Sequence, residues 1–310
     1  MNKITIKIIL SLTFIILLMK GLTMANTNND KLFYGVDIDL NGVGVDVRVN
    51  DIPVYFDDEK GQLTVEVPAP DSIVDGENIL SIKTFLPYDG DSIVENYSEG
   101  AYVTATLFQQ DLSLNNGIKL KLATATVKLT EDHVSFNIEN ITTKQQKSEE
   151  IELNKDKSHL IKVATTINSP FPQWVWQDGK SIENNSQNFE SLLKKYQTIH
   201  EALENKDLEK LKALYSKRAA ETSIAYNLPD EEAGHLKLSV GVDMHDKELE
   251  LYDFQTEGMR LEILANGKLA RVIDSDKDQP ILYFNSSSQL IHLYKFMFYL
   301  NKQNEWVMVR

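Results

Sequence analysis

Between residues 30 and 165 the chain repeats one pattern: short runs of alternating apolar and polar residues, each closed by a polar or proline-bearing turn. Val43-Gly-Val-Asp-Val-Arg-Val49 is the clearest run, with the period of two that a half-buried strand requires. Asn50-Asp-Ile-Pro53 turns the chain, Val54-Tyr-Phe56 resumes it, and Asp57-Asp-Glu-Lys-Gly61 is a polar turn before Gln62 to Val67. Ile79 to Phe85, Tyr102 to Phe108, Ile118 to Leu129 and Val134 to Ile138 continue the series. Strand candidates about every ten residues, with no helical period between them, predict an all-β antiparallel sandwich over residues 26–165.

Residues 166–185 read as a linker. Ser169-Pro-Phe-Pro172 fixes φ twice and restricts the residue before each proline. Trp174 and Trp176 lie at i and i+2, on one side of an extended segment. They are candidate interaction residues for a sugar or a partner, although such a pair more commonly plugs the seam between domains.

From Ser186 the period changes. Phe189, Leu192, Leu193, Tyr196, Ile199 and Leu203 form one apolar helix face. Asn205-Lys206 breaks that helix and Asp207 can cap a second, bearing Leu208, Leu211, Leu214 and Tyr215. A third helical piece is expected over Lys217 to Tyr226. Strands are expected at Leu236–Val242, Leu249–Tyr252, Met259–Leu264, Leu269–Ile273, Ile281–Phe284, Ile291–Leu300 and Trp306–Val309, with Asn266-Gly267 as a tight hairpin turn. The fold class is therefore two-domain, with the sandwich followed by an α+β region over 186–310, helices packed on a curved antiparallel sheet.

Two resemblances bear on this. The helix break in Ala202 to Tyr215 and the closing Phe298 to Val309 resemble the nuclear-transport-factor-2-like superfamily, which implies a cone-shaped α+β fold with a pocket. That superfamily holds enzymes and inert binding modules alike, so the resemblance implies no reaction. Val47 to Val54 with Ile73 to Ile82 resembles strand pairs of galactose-binding-like jelly rolls, and transfers no binding site.

The first 25 residues predict an address. Lys3 and Lys7 precede a twelve-residue apolar run from Ile8 to Met19, and Thr23-Met-Ala25 offers small residues for cleavage near Ala25. That order is a secretory signal peptide, and the run falls short of the ~20 residues of a bilayer span. An uncleaved anchor is the alternative, because Lys20 follows the run. The Lys/Asn/Ile-rich composition points to a bacterial source, hence the periplasm. No later stretch is apolar enough for membrane insertion.

The chain has no cysteine, which excludes disulfides, thiol catalysis and thiolate metal sites. Its formal charge is −14, and −17 once a leader with three lysines is removed. Residues 30–111 hold 17 Asp/Glu against four Lys/Arg, a local balance of −13. Such a field opposes nucleic acid and favours basic partners or cations. A merely solvated surface explains it too.

Candidate chemistry is sparse. Asp37-Ile-Asp39-Leu-Asn41-Gly42 opens like a calcium loop, but Arg48 stands where its bidentate glutamate belongs, and an exposed strand edge accounts better for the residues. His200-Glu201 lacks the second histidine of a zinc-protease helix. No nucleophile elbow, phosphate loop or dinucleotide fingerprint is present. Asp243-Met-His245-Asp246 reads as a polar hairpin tip. Neither a metal nor a cofactor is expected. If the second region has a pocket, Tyr196, Tyr215, Tyr226 and Asp253 are its candidate polar residues, the carboxylate as base and a phenol as oxyanion donor. Asp57, Asp58 and Glu59 are the candidate interaction residues of the acidic region. The combined expectation is an exported, non-enzymatic binding protein meeting a basic protein partner, in a specific version a periplasmic immunity protein neutralising a toxin. A small-molecule binder or weak enzyme is the alternative.

Overall fold

The computed structural model describes residues 31–113, 117–131, 133–140, 150–153, 157–274, 279–285, 287–288 and 290–310; the leader expected over the first 25 residues lies outside the described residues. The first half is all strand: β1 (Leu32–Asn41), β2 (Gly44–Val49), β3 (Ile52–Asp57), β4 (Gln62–Pro68), β5 (Gly76–Phe85), β6 (Tyr88–Asp89), β7 (Ser92–Ile93), β8 (Ala101–Asp111), β9 (Lys119–Leu129), β10 (Val134–Asn140), β11 (Glu150–Leu153) and β12 (His159–Ile167). Two five-stranded antiparallel sheets form, in the orders β10-β9-β8-β1-β4 and β11-β12-β5-β2-β3. Alternation decides which face is inside. Val36, Ile38 and Leu40 of β1 share one core with Val103, Ala105 and Leu107 of β8 and with Val47, Leu80, Ile82 and Ile161 of the second sheet.

The strand edge expected at Asp37–Gly42 is corrected. β1 is internal, paired with β4 on one side and β8 on the other. Its carboxylates stand outward, where Lys119 Nζ lies 2.8 Å from Asp37 and 2.5 Å from Glu66. Asp39 accepts hydrogen bonds from the Thr64 and Tyr102 hydroxyls.

The second half begins with α1 (Ser186–Glu204), α2 (Leu208–Ala225) and α3 (Glu231–Lys237). Each has an Asx cap: Asn185, Asp207 and Asp230 accept backbone N–H groups of Asn188, Lys210 and Ala233. The expected third helical piece is the continuation of α2. The strand expected at Leu236–Val242 is corrected to the end of α3 and the turns after it. Asp230 caps α3, Glu231 and Glu232 occupy its first turn and His235 and Lys237 its last, which complements the helix dipole.

Seven short strands follow: β13 (Leu249–Leu251), β14 (Arg260–Leu264), β15 (Leu269–Ile273), β16 (Leu282–Asn285), β17 (Leu290–Leu293), β18 (Phe298–Leu300) and β19 (Trp306–Met308). They make two separate sheets, β13-β16-β17 and β14-β15-β18-β19. Helices pack near both, but among the described residues no sheet curves or closes, so the cone-shaped fold implied by the superfamily resemblance is overturned. The backbone between β17 and β18 gives the reason. Phe296 N–H donates to Gln279 Oε1 at 2.8 Å, and Phe296 C=O accepts from the Tyr196 hydroxyl at 3.3 Å. Those peptide groups are spent on side chains, so the run expected as one strand over Ile291–Leu300 cannot continue a ladder.

The halves meet over apolar and charged ground. The sandwich core extends to Ala225, Leu264, Leu269, Met297 and Val309. Arg48 reaches Asp46 at 2.7 Å within the sandwich and Glu262 of β14 at 3.0 Å. Glu262 also holds Arg271 at 2.5 Å. No helix among the described residues is long and apolar enough to cross a membrane.

Candidate partner-binding surface

Asp57, Asp58 and Glu59 form the turn from β3 to β4. Against it lies the hairpin of β6 and β7, and the two are tied by backbone bonds from Tyr88 N–H to Asp58 C=O at 2.6 Å and from Lys60 N–H to Tyr88 C=O at 2.7 Å. Asp89-Gly90 is the turn signal, and Gly90 takes a φ of +63°, a left-handed conformation that glycine tolerates without a Cβ clash. Register places Tyr88 opposite Ile93 and Asp89 opposite Ser92.

The outcome is an exposed apolar pair on an acidic hairpin. Tyr88 is 38% exposed and Ile93 56%. Lys60 Nζ pairs with Asp89 at 2.7 Å. Asp57 is occupied locally, accepting the Tyr55 hydroxyl at 2.9 Å and the Glu59 N–H at 3.1 Å; burial, then that bond, raise the Tyr55 pKa. Asp58, Glu59 and Asp91 have no ion pair or side-chain hydrogen bond among the described residues. This differs from the outer face of the first sheet, where Asp37, Asp39 and Glu66 are internally matched. An unmatched group of carboxylates keeps its field for whatever approaches.

The other sequence candidates fall elsewhere. Trp174 and Trp176 are buried, at 1% and 5% exposure, and their segment turns as a single helical turn (Val175–Asp178) instead of running extended. Trp174 Nε1–H donates to Ile73 C=O at 2.6 Å, its ring packs on Phe171, and the Arg310 guanidinium lies 5.1 Å from it. The pair closes the interior and is not a surface for stacking. Tyr196 is fully buried; its hydroxyl donates to Gln279 Oε1 at 2.9 Å and accepts from Val272 N–H at 3.3 Å. Burial raises its pKa, which is the behaviour of a structural phenol. Tyr215 stands edge-on to Phe296, and Lys237 lies over the ring of Tyr226. Asp253 is exposed, and no hydrogen bond joins its carboxylate to these tyrosines among the described residues.

His235 sits in α3, 3.5 Å from Glu231, while Asp243 accepts the Tyr294 hydroxyl at 2.9 Å. Sequence reasoning missed Tyr88, Asp89, Asp91 and Ile93. The dipeptide Asp89-Gly90 between Tyr88 and Ile93 was the available signal for a hairpin; its contact with the turn at 57–59 was not readable locally.

No family model matches the chain, and neither a curated protein nor a solved structure matches it. Neither family resemblance therefore has a relative to rest on, and no match supports the immunity-protein identity expected from the address and the charge.

Proposed function

We propose that this chain is an exported, non-enzymatic binding protein that receives a basic protein partner on the hairpin β6/β7 and the adjoining turn at 57–59. The observation that carries the reading is the exposed Tyr88–Ile93 pair on a hairpin that holds Asp89 and Asp91 and joins the turn of Asp58 and Glu59, with Lys60 paired to Asp89. An aromatic and an aliphatic side chain supply area to desolvate, and the carboxylates steer and orient a positively charged surface. The matched acids of the first sheet's outer face have less field to offer.

A photo-crosslinking residue at position 88 tests this in the producing cell. The expected product is a cross-link to one protein of basic composition. It is lost when Asp58, Glu59, Asp89 and Asp91 are changed to lysine, and weakened by salt because exposed charges are screened beyond ~8 Å at physiological ionic strength. Cross-links to acidic proteins, or capture unchanged by charge reversal, would reject the reading. Export is tested by sequencing the N-terminus of the mature protein, expected to begin at Asn26.

A further inference from the structure

A cavity of about 180 Å³ lies between helices α1 and α2 and the strands β18 and β19. Sequence spacing assembles its walls. Trp306 and Met308 share one face of β19 at i and i+2, and register sets Phe298 opposite Met308. Lys195 and Ile199 lie one helical turn apart on α1 and line the same space. Helix α2 packs on β19 and brings Ala213 to the lining, where its single methyl leaves room that a larger side chain would fill.

Depth and mouth differ in character. Ile199, Phe298, Trp306 and Met308 are buried and give the cavity apolar walls. Trp306 Nε1–H donates to Ser191 Oγ at 2.8 Å, so the indole has no donor left for a ligand. Ala213 is exposed and Lys195 half-buried, which places the opening beside them. Lys195 is also the only charged residue on the lining. A lysine at such a rim covers apolar ground with its stem and keeps its ammonium in water.

We propose that this cavity binds a short-chain aliphatic monocarboxylate, its tail against Phe298, Trp306 and Met308 and its carboxylate at the Lys195 ammonium. Size sets the tail: a dry cavity of about 150 Å³ holds benzene, so this one takes a body of about six carbons. Charge sets the head. A cation would meet the ammonium, and a neutral alcohol would gain the apolar contact alone. A second carboxylate would have to enter the apolar depth without a partner, so a dicarboxylate of the same length is rejected. The site shares no residue with the acidic hairpin and goes beyond the partner reading.

NMR of the isotope-labelled full chain tests this, with the tryptophan indole N–H resonances followed as hexanoate is added. Trp306 lines the cavity, whereas Trp174 and Trp176 are buried in the sandwich core and serve as internal controls. Trp306→Phe identifies the resonance. A saturable shift confined to Trp306 is expected, with affinity rising about fourfold per methylene from butanoate to hexanoate. Lys195→Met keeps the stem and removes the charge; it should weaken hexanoate by about threefold or more and leave hexanol unchanged. Ala213→Phe, which fills the mouth, should abolish both. If that variant does not fold, Lys195→Met decides alone. No saturable shift at Trp306, equal affinity along the series, hexylamine binding tighter than hexanoate, hexanoate unaffected by Lys195→Met, or binding retained in a folded Ala213→Phe would each overturn the assignment.

Discussion

Glu221 illustrates what single residues do at the junction of the two halves. One oxygen lies 2.5 Å from Arg310 Nη1 and the other accepts the Val175 N–H at 2.8 Å, with both charged side chains about 5% exposed. Removing one member leaves the other charge buried, so Glu221→Leu is expected to cost about 3–5 kcal/mol in urea unfolding. Glu221→Leu with Arg310→Met should recover part of that loss, since of the three charges only Asp71, itself partly exposed, then lacks its partner. A single-variant cost below about 1 kcal/mol would mean that the pair holds nothing in place. Tyr34 makes an alkaline prediction. Burial lifts it from its ordinary 10.0 to about 12, so the folded protein keeps a proton that the unfolded chain has released. Its contribution is complete below pH 10 and disappears as the pH climbs through 12. Denaturation midpoints for Tyr34→Phe should therefore fall less steeply across that window; an identical slope would refute the linkage.

Among the elements, α3 depends on a close approach to α2. A Cβ at Gly234 would run into the backbone carbonyl of Ala219. Gly234→Ala is expected to push α3 outward and destabilise by about 1–3 kcal/mol, with faster amide exchange confined to residues 231–238. Unchanged exchange there would show that α3 can slide without loss. The same scale shows what was legible. Strands β2 to β5 and β8 to β10 could be read because each alternates with period two between turn residues, and the caps Asp207 and Asn205-Lys206 marked the end of one helix and the start of another. β1 was missed as an internal strand because its Asp37 and Asp39 resemble an edge or a metal loop. Only Lys119, Thr64 and Tyr102, brought in from other strands, explain them.

At the scale of the molecule, the two halves should melt together. The sandwich core includes Leu264, Leu269, Met297 and Val309 from the C-terminal half, and Arg48, Glu262 and Arg271 form a charge chain across the same boundary. Neither half can expose that ground to water without losing apolar burial. Calorimetry is expected to show one transition; two resolved transitions would contradict the shared core.

By itself the sequence determined the periods, the turns, the helix caps and the excess of carboxylates, and with them a sandwich followed by an α+β region. These are local properties, set by backbone geometry and by neighbours two to four positions apart. Only the tertiary structure decided that the C-terminal strands stay in two open sheets and that the tryptophans lie inside. Each outcome depends on partners some seventy to one hundred positions away, such as Tyr196 with Phe296 or Trp174 with Ile73. No local spacing encodes such meetings, because they are selected by how whole faces pack.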